Sequence, residues 1–356
     1  LRSDGSMQIW FISILVFFLG CGGCEDETPI SEEGPDTRLV FIGVDGLAPR
    51  LLRGLLENEP ENFPALGRIV QEGFMMDLGI DSELMVSPIL WTSMFTGYTE
   101  AQHGVAGWTM ANNRPVDQQT VKAIRFWEAA SRDGRSILQV GSLMTSPVVP
   151  LDGINVGDSF VRATFSPNSP DFTHHVYPAE IVEDVQNLVP SADWLIEHPL
   201  IGYQLEILGP GVHPLASDET NVRIFETFWP EMEADIGVVY IKGLDRIGHL
   251  ADPGSESSQR SNNFGDHTSF LPRGAQWIGD YYSYVDQLIG RILTDIDPTT
   301  TTVIIASDHG FDVLHEVSEW ESRHRDPGVL IGWGKLANAD STPATVNQRD
   351  LGVTLF

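Results

Sequence analysis

The chain has 356 residues, of which 42% are hydrophobic, and its 50 Asp and Glu residues outnumber 21 Lys and Arg, which gives a formal net charge of −29. This is enough apolar material for one large α/β domain or two smaller ones, and so negative a surface argues against nucleic acid binding. The two cysteines, Cys21 and Cys24, lie near the start, so a disulfide scaffold and a cysteine-ligated metal site are both excluded for the body of the chain.

The first 20 residues have the pattern of a signal peptide. The apolar run at 9–19 is too short for a comfortable transmembrane helix and suits the central region of an export signal. It ends in Leu19-Gly20-Cys21, which resembles a bacterial lipobox with cleavage before Cys21 and acylation of its thiol. An ordinary signal peptide or a buried strand is the alternative. Gly22, where Asp would signal retention, predicts an exported outer-membrane or cell-surface lipoprotein that faces the periplasm or the exterior.

Residues 21–37 form an acidic segment with Pro and Gly and without apolar periodicity, which predicts a disordered tether after the lipobox cysteine. From residue 38 the pattern changes to buried strands and amphipathic helices. We therefore expect one catalytic domain over 38–356.

Apolar, β-branched runs predict strands that are buried on both faces. They lie at 38–44, 136–140, 236–241, 302–306 and 328–331. Helices are expected between them at 63–72, 121–130 and 275–296, the last with the clearest helical spacing. This alternation predicts a three-layer α/β/α sandwich around a mainly parallel sheet. Two long irregular stretches, 142–235 and 250–274, predict an insertion or lid over the site.

Acidic and imidazole side chains follow the predicted strands, where ligands gather at the carboxyl edge of a parallel sheet. Asp45 closes the first strand, and later strands lead to Asp245 and His249, to Asp308 and His309, and to His324 just before the last strand. Any one of these residues is more often structural than catalytic. Asp and His at four strand ends predict a zinc-type metal site, since these are the ligands that zinc accepts without thiolates.

Ser87 is the candidate nucleophile because it precedes Pro88, a pairing typical of a helix start with Ser at the N-cap and Pro at the first helical position. A hydroxyl there would face the partial positive charge of free backbone N–H groups, which favours a phosphate. A purely capping role for Ser87 is the alternative. Ser82, Thr92 and Ser93 are rivals, of which the last two should lie inside the helix.

Taken in order, these segments resemble the type I phosphodiesterase/nucleotide pyrophosphatase branch of the alkaline-phosphatase superfamily, over nearly the whole chain after the tether. The resemblance rests on Asp45 after the first strand, Ser87 ten residues before Gly97 of a Thr-Gly pair, and His103-Gly104 shortly after. It continues with the Asp245-x-x-x-His249 pair, the SDHG signature at 307–310 and His324. Relatives extend beyond residue 356, so this sequence looks truncated at its C-terminus.

The resemblance implies an alkaline-phosphatase-like fold and two divalent metal ions, zinc or alternatively manganese. One ion would be held by Asp45, Asp308 and His309, with Ser87 also reaching it. The other would be held by Asp245, His249 and His324. It further implies hydrolysis of a small phosphate ester, most simply a diester, through a phosphoserine intermediate between the metals.

Three other functions stay open. A phosphomonoesterase could use the same scaffold, although the sequence assigns no basic residue to the extra phosphate charge. A sulfatase is less compatible, because its motif is Cys or Ser followed by x-Pro-x-Arg, whereas Pro88 follows Ser87 directly. A non-catalytic binding lipoprotein would be expected to lack some site residues, and all seven are present. The sequence indicates neither the natural substrate nor the oligomeric state.

Overall fold

A nine-stranded sheet lies at the centre of the fold in the computed structural model, which describes residues 37–166, 171–201, 214–251, 270–311, 324–325, 327–337 and 345–355. The strands are β1 (Arg38–Val44), β2 (Phe74–Gly79), β3 (Ile137–Val140), β4 (Gly153–Val156), β5 (Val176–Tyr177), β6 (Ile236–Ile241), β7 (Thr301–Ala306), β8 (Gly310–Phe311), β9 (His324–Arg325), β10 (Gly328–Gly334) and β11 (Val346–Asn347). β8 and β9 pair separately as a two-stranded sheet.

Helices connect these strands and cover the sheet. They are α1 (Pro49–Asn58), α2 (Pro64–Glu72), α3 (Ser87–Thr96), α4 (Glu100–His103), α5 (Phe126–Arg132), α6 (Phe160–Thr164), α7 (Val182–Asn187), α8 (Ala192–Glu197), α9 (Pro214–Met232), α10 (Gly243–Ala251), α11 (Phe270–Ile292) and α12 (Gln348–Thr354). Residues from Asp36 to Phe356 cluster as one compact unit.

The sheet is mainly parallel, as predicted, and its strand order is β11-β2-β10-β7-β1-β6-β3-β4-β5. β1 pairs in parallel with β6 and β7, and β3 pairs in parallel with β6 and β4. β10 is antiparallel to both β7 and β2. The start of β10 therefore lies at the same edge of the sheet as the carboxyl ends of β1, β6 and β7.

Two helical layers pack against opposite faces of the sheet, because side chains alternate along each buried strand. On β1, Val40 and Ile42 join a core with α1, α2, α9 and α11, whereas Phe41 joins a core with α3, α5 and α12. On β6, Tyr240 faces the second core. The prediction of a three-layer α/β/α sandwich is confirmed.

Three element predictions need correction. The helix expected at 121–130 is shorter and later, at Phe126–Arg132, after a 3₁₀ turn at Gln118–Thr120. The helix expected at 275–296 begins at Phe270 and ends at Ile292, followed by a 3₁₀ turn. The stretch 142–235, predicted to be irregular, contains two strands and the 19-residue helix α9. Because α9 is buried on most of its faces, its sequence lacks the polar stripe that marks an amphipathic helix.

The predicted signal peptide, the lipobox and nearly all of the acidic tether lie outside the described residues, as does most of the predicted loop at 250–274. Among the residues that are described, no helix is both long and apolar enough to cross a membrane.

Candidate active site

One edge of the sheet brings together all seven residues that the sequence singled out. Asp45 directly follows β1, α10 carries Asp245 and His249 after β6, and Asp308 and His309 follow β7. His324 lies on β9, opposite Phe311 of β8, just before β10. His324 reaches this edge because β10 runs against its neighbours, so that its start and not its end lies there.

The first group of side chains consists of Asp45, Asp308, His309 and Ser87. His309 Nε2 lies 3.5 Å from Asp45 Oδ1 and 3.4 Å from Asp308 Oδ2. Ser87 Oγ lies 3.4 Å from Asp45 Oδ1 and 3.5 Å from His309 Nε2. All four residues are buried, and each points a potential ligand atom toward the same small volume.

The second group consists of Asp245, His249 and His324. Asp245 Oδ1 lies 3.2 Å from the Nε2 atom of each histidine, and the two Nε2 atoms are 3.1 Å apart. His309 lies between the groups, since its Nε2 is also 3.9 Å from Asp245 Oδ1. Its distances would therefore allow His309 to bind a metal ion together with Asp245 and His324, or together with Asp45 and Asp308.

These distances suit bound metal ions. In a tetrahedral site with bonds of about 2.0 Å, neighbouring ligand atoms lie about 3.3 Å apart, which matches the spacing in both groups. Asp245 Oδ1 and Asp308 Oδ2 are buried and accept no hydrogen bond from the described residues. Buried carboxylate oxygens are normally hydrogen-bonded or bound to a cation. The donor set and these two orphaned oxygens therefore fit divalent metals.

The carboxyl groups interact strongly in the metal-free state. Burial raises the pKa of Asp45 to about 6, and the charge of Asp245 adds to the effect. Burial also raises the pKa of Asp308 well above its ordinary value, with help from Asp45 and Asp245. For Asp245, burial is outweighed by His249 and His324, so its pKa lies well below the ordinary value. A cluster of this kind is stabilised by positive charge, which metal ions provide.

Backbone carbonyls orient two of the imidazoles. His324 Nδ1 lies 2.6 Å from Met85 O, and His309 Nδ1 lies 3.1 Å from Gly310 O. Because a carbonyl only accepts hydrogen bonds, each Nδ1 carries a proton, so each ring in its neutral form presents the Nε2 lone pair to the cluster. For His324, burial is outweighed by Asp245 and Met85 O, which raise its pKa in the metal-free state. Burial lowers the pKa of His309 to about 3, which keeps this ring neutral. Neutral rings with free Nε2 atoms are the form that binds metal.

The position of Ser87 differs by one residue from the prediction. Ser87 is the first residue of α3, Val86 precedes the helix, and no side chain caps it. The amides of Ile89 and Leu90 both donate to Val86 O, and Pro88 has no N–H. The helix start thus offers at most one free amide, and the predicted cluster of free N–H groups is wrong. The Ser87 hydroxyl faces Asp45 and His309 instead.

The rival hydroxyls are engaged elsewhere. Thr92 Oγ1 donates to Pro88 O at 2.6 Å within the helix, and Ser93 Oγ lies 3.0 Å from His103 Nε2. Ser82 Oγ binds Glu100 and Leu84 O. Of the other histidines, His175 binds Ser159, His198 packs against Trp194, and His213 and His315 lie outside the described residues.

Sequence reasoning missed Tyr240, whose hydroxyl donates to Asp45 Oδ2. This bond occupies the second oxygen of Asp45 and leaves Oδ1 facing Ser87. Tyr240 also packs edge-on against Trp91 of α3, with ring centroids 5.1 Å apart. Tyr240 lies on the sheet face that α3 covers, so side-chain alternation along β6 was the signal that could have found it.

Solved structures of the alkaline-phosphatase type resemble this chain. A sulfatase candidate, yidJ of Bacteroides fragilis, has 15% identity over 92% of this chain and 75% of that chain, with a TM-score of 0.53. A 2-O GAG sulfatase has 9% identity over 88% of this chain and 68% of that chain, also with a TM-score of 0.53. At such identities these similarities show the fold alone, which is alkaline-phosphatase-like.

Murine ectonucleotide pyrophosphatase/phosphodiesterase 5 is a more distant structural match, with 13% identity over 77% of this chain and a TM-score of 0.43. The present chain spans 57% of that protein's length. No curated protein matches the sequence significantly.

A match to a family sequence profile identifies the family of this chain. The profile of the type I phosphodiesterase/nucleotide pyrophosphatase family matches residues 39–351, which is most of the chain. The chain belongs to this family, which confirms the resemblance drawn from its motifs, and membership classes it as a phosphoric ester hydrolase. The family is metal-dependent, and the two groups described above are the candidate ligands in this chain.

Proposed function

We propose that this protein is a phosphodiesterase that uses Ser87 as its nucleophile and binds two divalent metal ions. In this proposal Asp45, Asp308, His309 and Ser87 hold one ion, and Asp245, His249 and His324 hold the other. Zinc is favoured because three of the seven proposed ligands are imidazoles, and manganese is the alternative because the others are oxygen ligands.

One observation supports this proposal above the others, namely that the Ser87 hydroxyl belongs to the first group. Its Oγ is as close to Asp45 and His309 as those two residues are to each other, at 3.4–3.5 Å. A serine with only a capping role would point toward the backbone amides of α3, and this one does not. This geometry supports our proposal that the hydroxyl binds a metal and attacks a phosphate held beside it.

Two bound ions would lower the pKa of the Ser87 hydroxyl and neutralise the phosphate oxygens. Ser87 Oγ then forms a bond to phosphorus while the ester bond to the leaving oxygen breaks, and the serine proton ends on the departing alcohol. This gives a phosphoserine intermediate whose phosphate keeps the second ester group, and one alcohol. Water next cleaves the serine–phosphate bond, which restores the Ser87 hydroxyl and releases the phosphate monoester.

The residues around Ser87 hold this arrangement before substrate arrives. His309 is neutral and fixed by Gly310 O, and Asp45 is fixed by Tyr240 through its other oxygen. Neither residue needs to reorient during the reaction, which lowers the cost of reaching the transition state.

A phosphomonoesterase is the second candidate, and one residue favours it. Lys242 directly follows β6, so its backbone lies beside that of Asp45, since Ile241 pairs with Val44. Burial and the charge of Arg246 lower the pKa of Lys242, and the carboxylates of Asp218, Asp158 and Asp45 oppose that effect. A cation this near the site could neutralise the additional charge of a monoester, which the sequence alone assigned to no residue.

We also propose that the substrate is a small phosphate ester outside the cytoplasm, and that a lipid on Cys21 attaches the protein to a membrane. These proposals rest on the lipobox-like sequence ahead of Cys21 and on the net charge of −29, which disfavours nucleic acid.

A panel of chromogenic esters tests the proposed function. Protein stripped with a chelator and reloaded with zinc or manganese should cleave bis(p-nitrophenyl) phosphate with a higher kcat/KM than p-nitrophenyl phosphate, and p-nitrophenyl sulfate least. The stripped protein should be inactive. Faster cleavage of the monoester, together with a larger KM increase for the monoester than for the diester in Lys242→Met, would favour the second candidate.

Preference for the sulfate ester would contradict both candidates. Metal-loaded protein that cleaves none of the three would leave a binding lipoprotein as the better description.

A further inference from the structure

We propose that Asp218 is a positioning residue, whose carboxylate fixes the start of α10 so that Asp245 and His249 converge on His324. This inference rests on the proposed function, because bound metal is what makes that convergence useful. Asp218 lies on α9 and is fully buried, and within the described part of the chain its hydrogen bonds reach none of the seven site residues.

The Asp218 carboxylate accepts three hydrogen bonds. The backbone amides of Lys242 and Gly243 donate to it at 2.9 Å and 3.0 Å, and the Tyr281 hydroxyl donates at 2.7 Å. Gly243 is the first residue of α10. The first amides of a helix have no partner within the helix, and a negative charge there also complements the helix dipole.

The fit around Gly243 leaves little room for the helix start to move. A Cβ atom at this position would overlap the Tyr281 hydroxyl and the Asp218 carboxylate. The start of α10 is thus held between α9 and α11, each of which contributes one polar side chain. A shift of this turn would break hydrogen bonds that no water could easily replace in so close a contact.

This turn leads into two of the three proposed ligands of the second group, Asp245 and His249. Asp245 comes two residues after Gly243, its amide donates to Asp45 O at 3.2 Å, and His249 lies one turn further on. The three ligand atoms of the second group are 3.1–3.2 Å apart. Functional geometry of this kind tolerates displacements of about 0.5 Å. The Asp218 hydrogen bonds therefore act at the point where a small movement of α10 would separate the ligands.

The chain contains a matched control in Asp286 of α11. Its buried carboxylate accepts hydrogen bonds from the amides of Ala65 and Leu66 at 3.2 Å and 2.7 Å, at the start of α2. Burial raises the pKa of Asp286, as it does for Asp218. Both carboxylates are buried and each accepts two backbone amides at a helix start, with one further hydrogen bond from Tyr281 to Asp218, but α2 carries no site residue. A general structural role should affect both positions equally.

The test compares Asp218→Asn and Asp286→Asn in the full chain, since asparagine keeps the shape of the side chain but accepts fewer hydrogen bonds. Zinc affinities are measured by competition with a chelating dye, and amide hydrogen exchange of α10 and α2 is measured on the metal-free proteins. Asp218→Asn should weaken one of the two zinc sites about tenfold or more and speed exchange in α10. Asp286→Asn should leave both zinc affinities within about twofold of wild type and speed exchange in α2.

If Asp218→Asn keeps the zinc affinities of wild type, or if both variants lose zinc affinity equally, the positioning role of Asp218 is refuted. If wild-type protein binds neither zinc nor manganese, the proposed function itself is contradicted. In that case α10 exchange in metal-free Asp218→Asn still decides whether Asp218 fixes the helix, and unchanged exchange would refute it.

Discussion

Replacing Ser87 with alanine separates its chemical role from a structural one. The hydroxyl makes no cap bond to α3, so its loss should lower the free energy of unfolding by less than about 1 kcal/mol. Loss of a nucleophile should lower kcat by a factor of about 10⁴ or more. That factor corresponds to about 5 kcal/mol in the activation barrier. The two effects differ enough to be measured in one set of proteins.

The assay is kcat for bis(p-nitrophenyl) phosphate in saturating zinc, with urea unfolding and elemental analysis on the same samples. Thr92→Ala is the control, because Thr92 lies in the same helix and its hydroxyl donates only to Pro88 O. It should keep most of the activity. A Ser87→Ala protein with near-normal turnover would refute the nucleophile assignment, as would a folded Thr92→Ala protein without activity.

Elemental analysis of full-length protein purified without chelator should give close to two zinc or manganese equivalents per chain, and a count near zero that reloading fails to raise would contradict the two ligand groups. Tyr240→Phe removes the hydroxyl that binds Asp45 Oδ2 and should weaken metal affinity about tenfold in dye competition; wild-type affinity would show that this bond is dispensable. Burial lowers the pKa of His103 to about 4 from an ordinary 6.5, so the unfolded chain binds more protons between these values and stability falls as the pH drops through this window. His103→Gln should reduce that fall in urea unfolding of metal-free protein, and an unchanged pH dependence would count against it. Cys21→Ser should release the protein from the membrane fraction, unless wild type is already soluble and unlipidated, which would exclude the lipid anchor.

The central strands could be predicted from sequence because they are buried on both faces. β1 and β6 have the predicted bounds, since each is a continuous run of apolar residues without a competing helical pattern. β2 was missed because it lies near the edge of the sheet and mixes exposed and buried positions. The helix α9 was missed because it is buried on most of its faces. Charged residues such as Asp218 and Glu219 are buried among its apolar ones, so its sequence shows no clear apolar stripe.

The chemical types of the site residues were also readable, because Asp and His at strand ends are unusual as a set. The residues that hold the site residues in place by hydrogen bonds could not be predicted from the sequence. The Tyr240 hydroxyl meets Asp45 across 195 positions of sequence, and the Asp218 carboxylate meets Gly243 across 25. Such pairs have no local spacing rule, so only the three-dimensional arrangement identifies them.

The antiparallel direction of β10 has a consequence for how the site is assembled. Asp45 and Ser87 are synthesised early, yet the position of His324 depends on the pairing of β10 with β7, and Gly46 meets Asp308 across 262 positions. Contacts this distant in sequence are slow to form, because a long loop must close first, and we expect them to form late in folding. A chain interrupted before β9 would contain the serine and both α10 ligands but would lack His324 and could not complete the second group. Tight metal capture should therefore be a property of the finished fold, and metal uptake during refolding should coincide with the last structural phase.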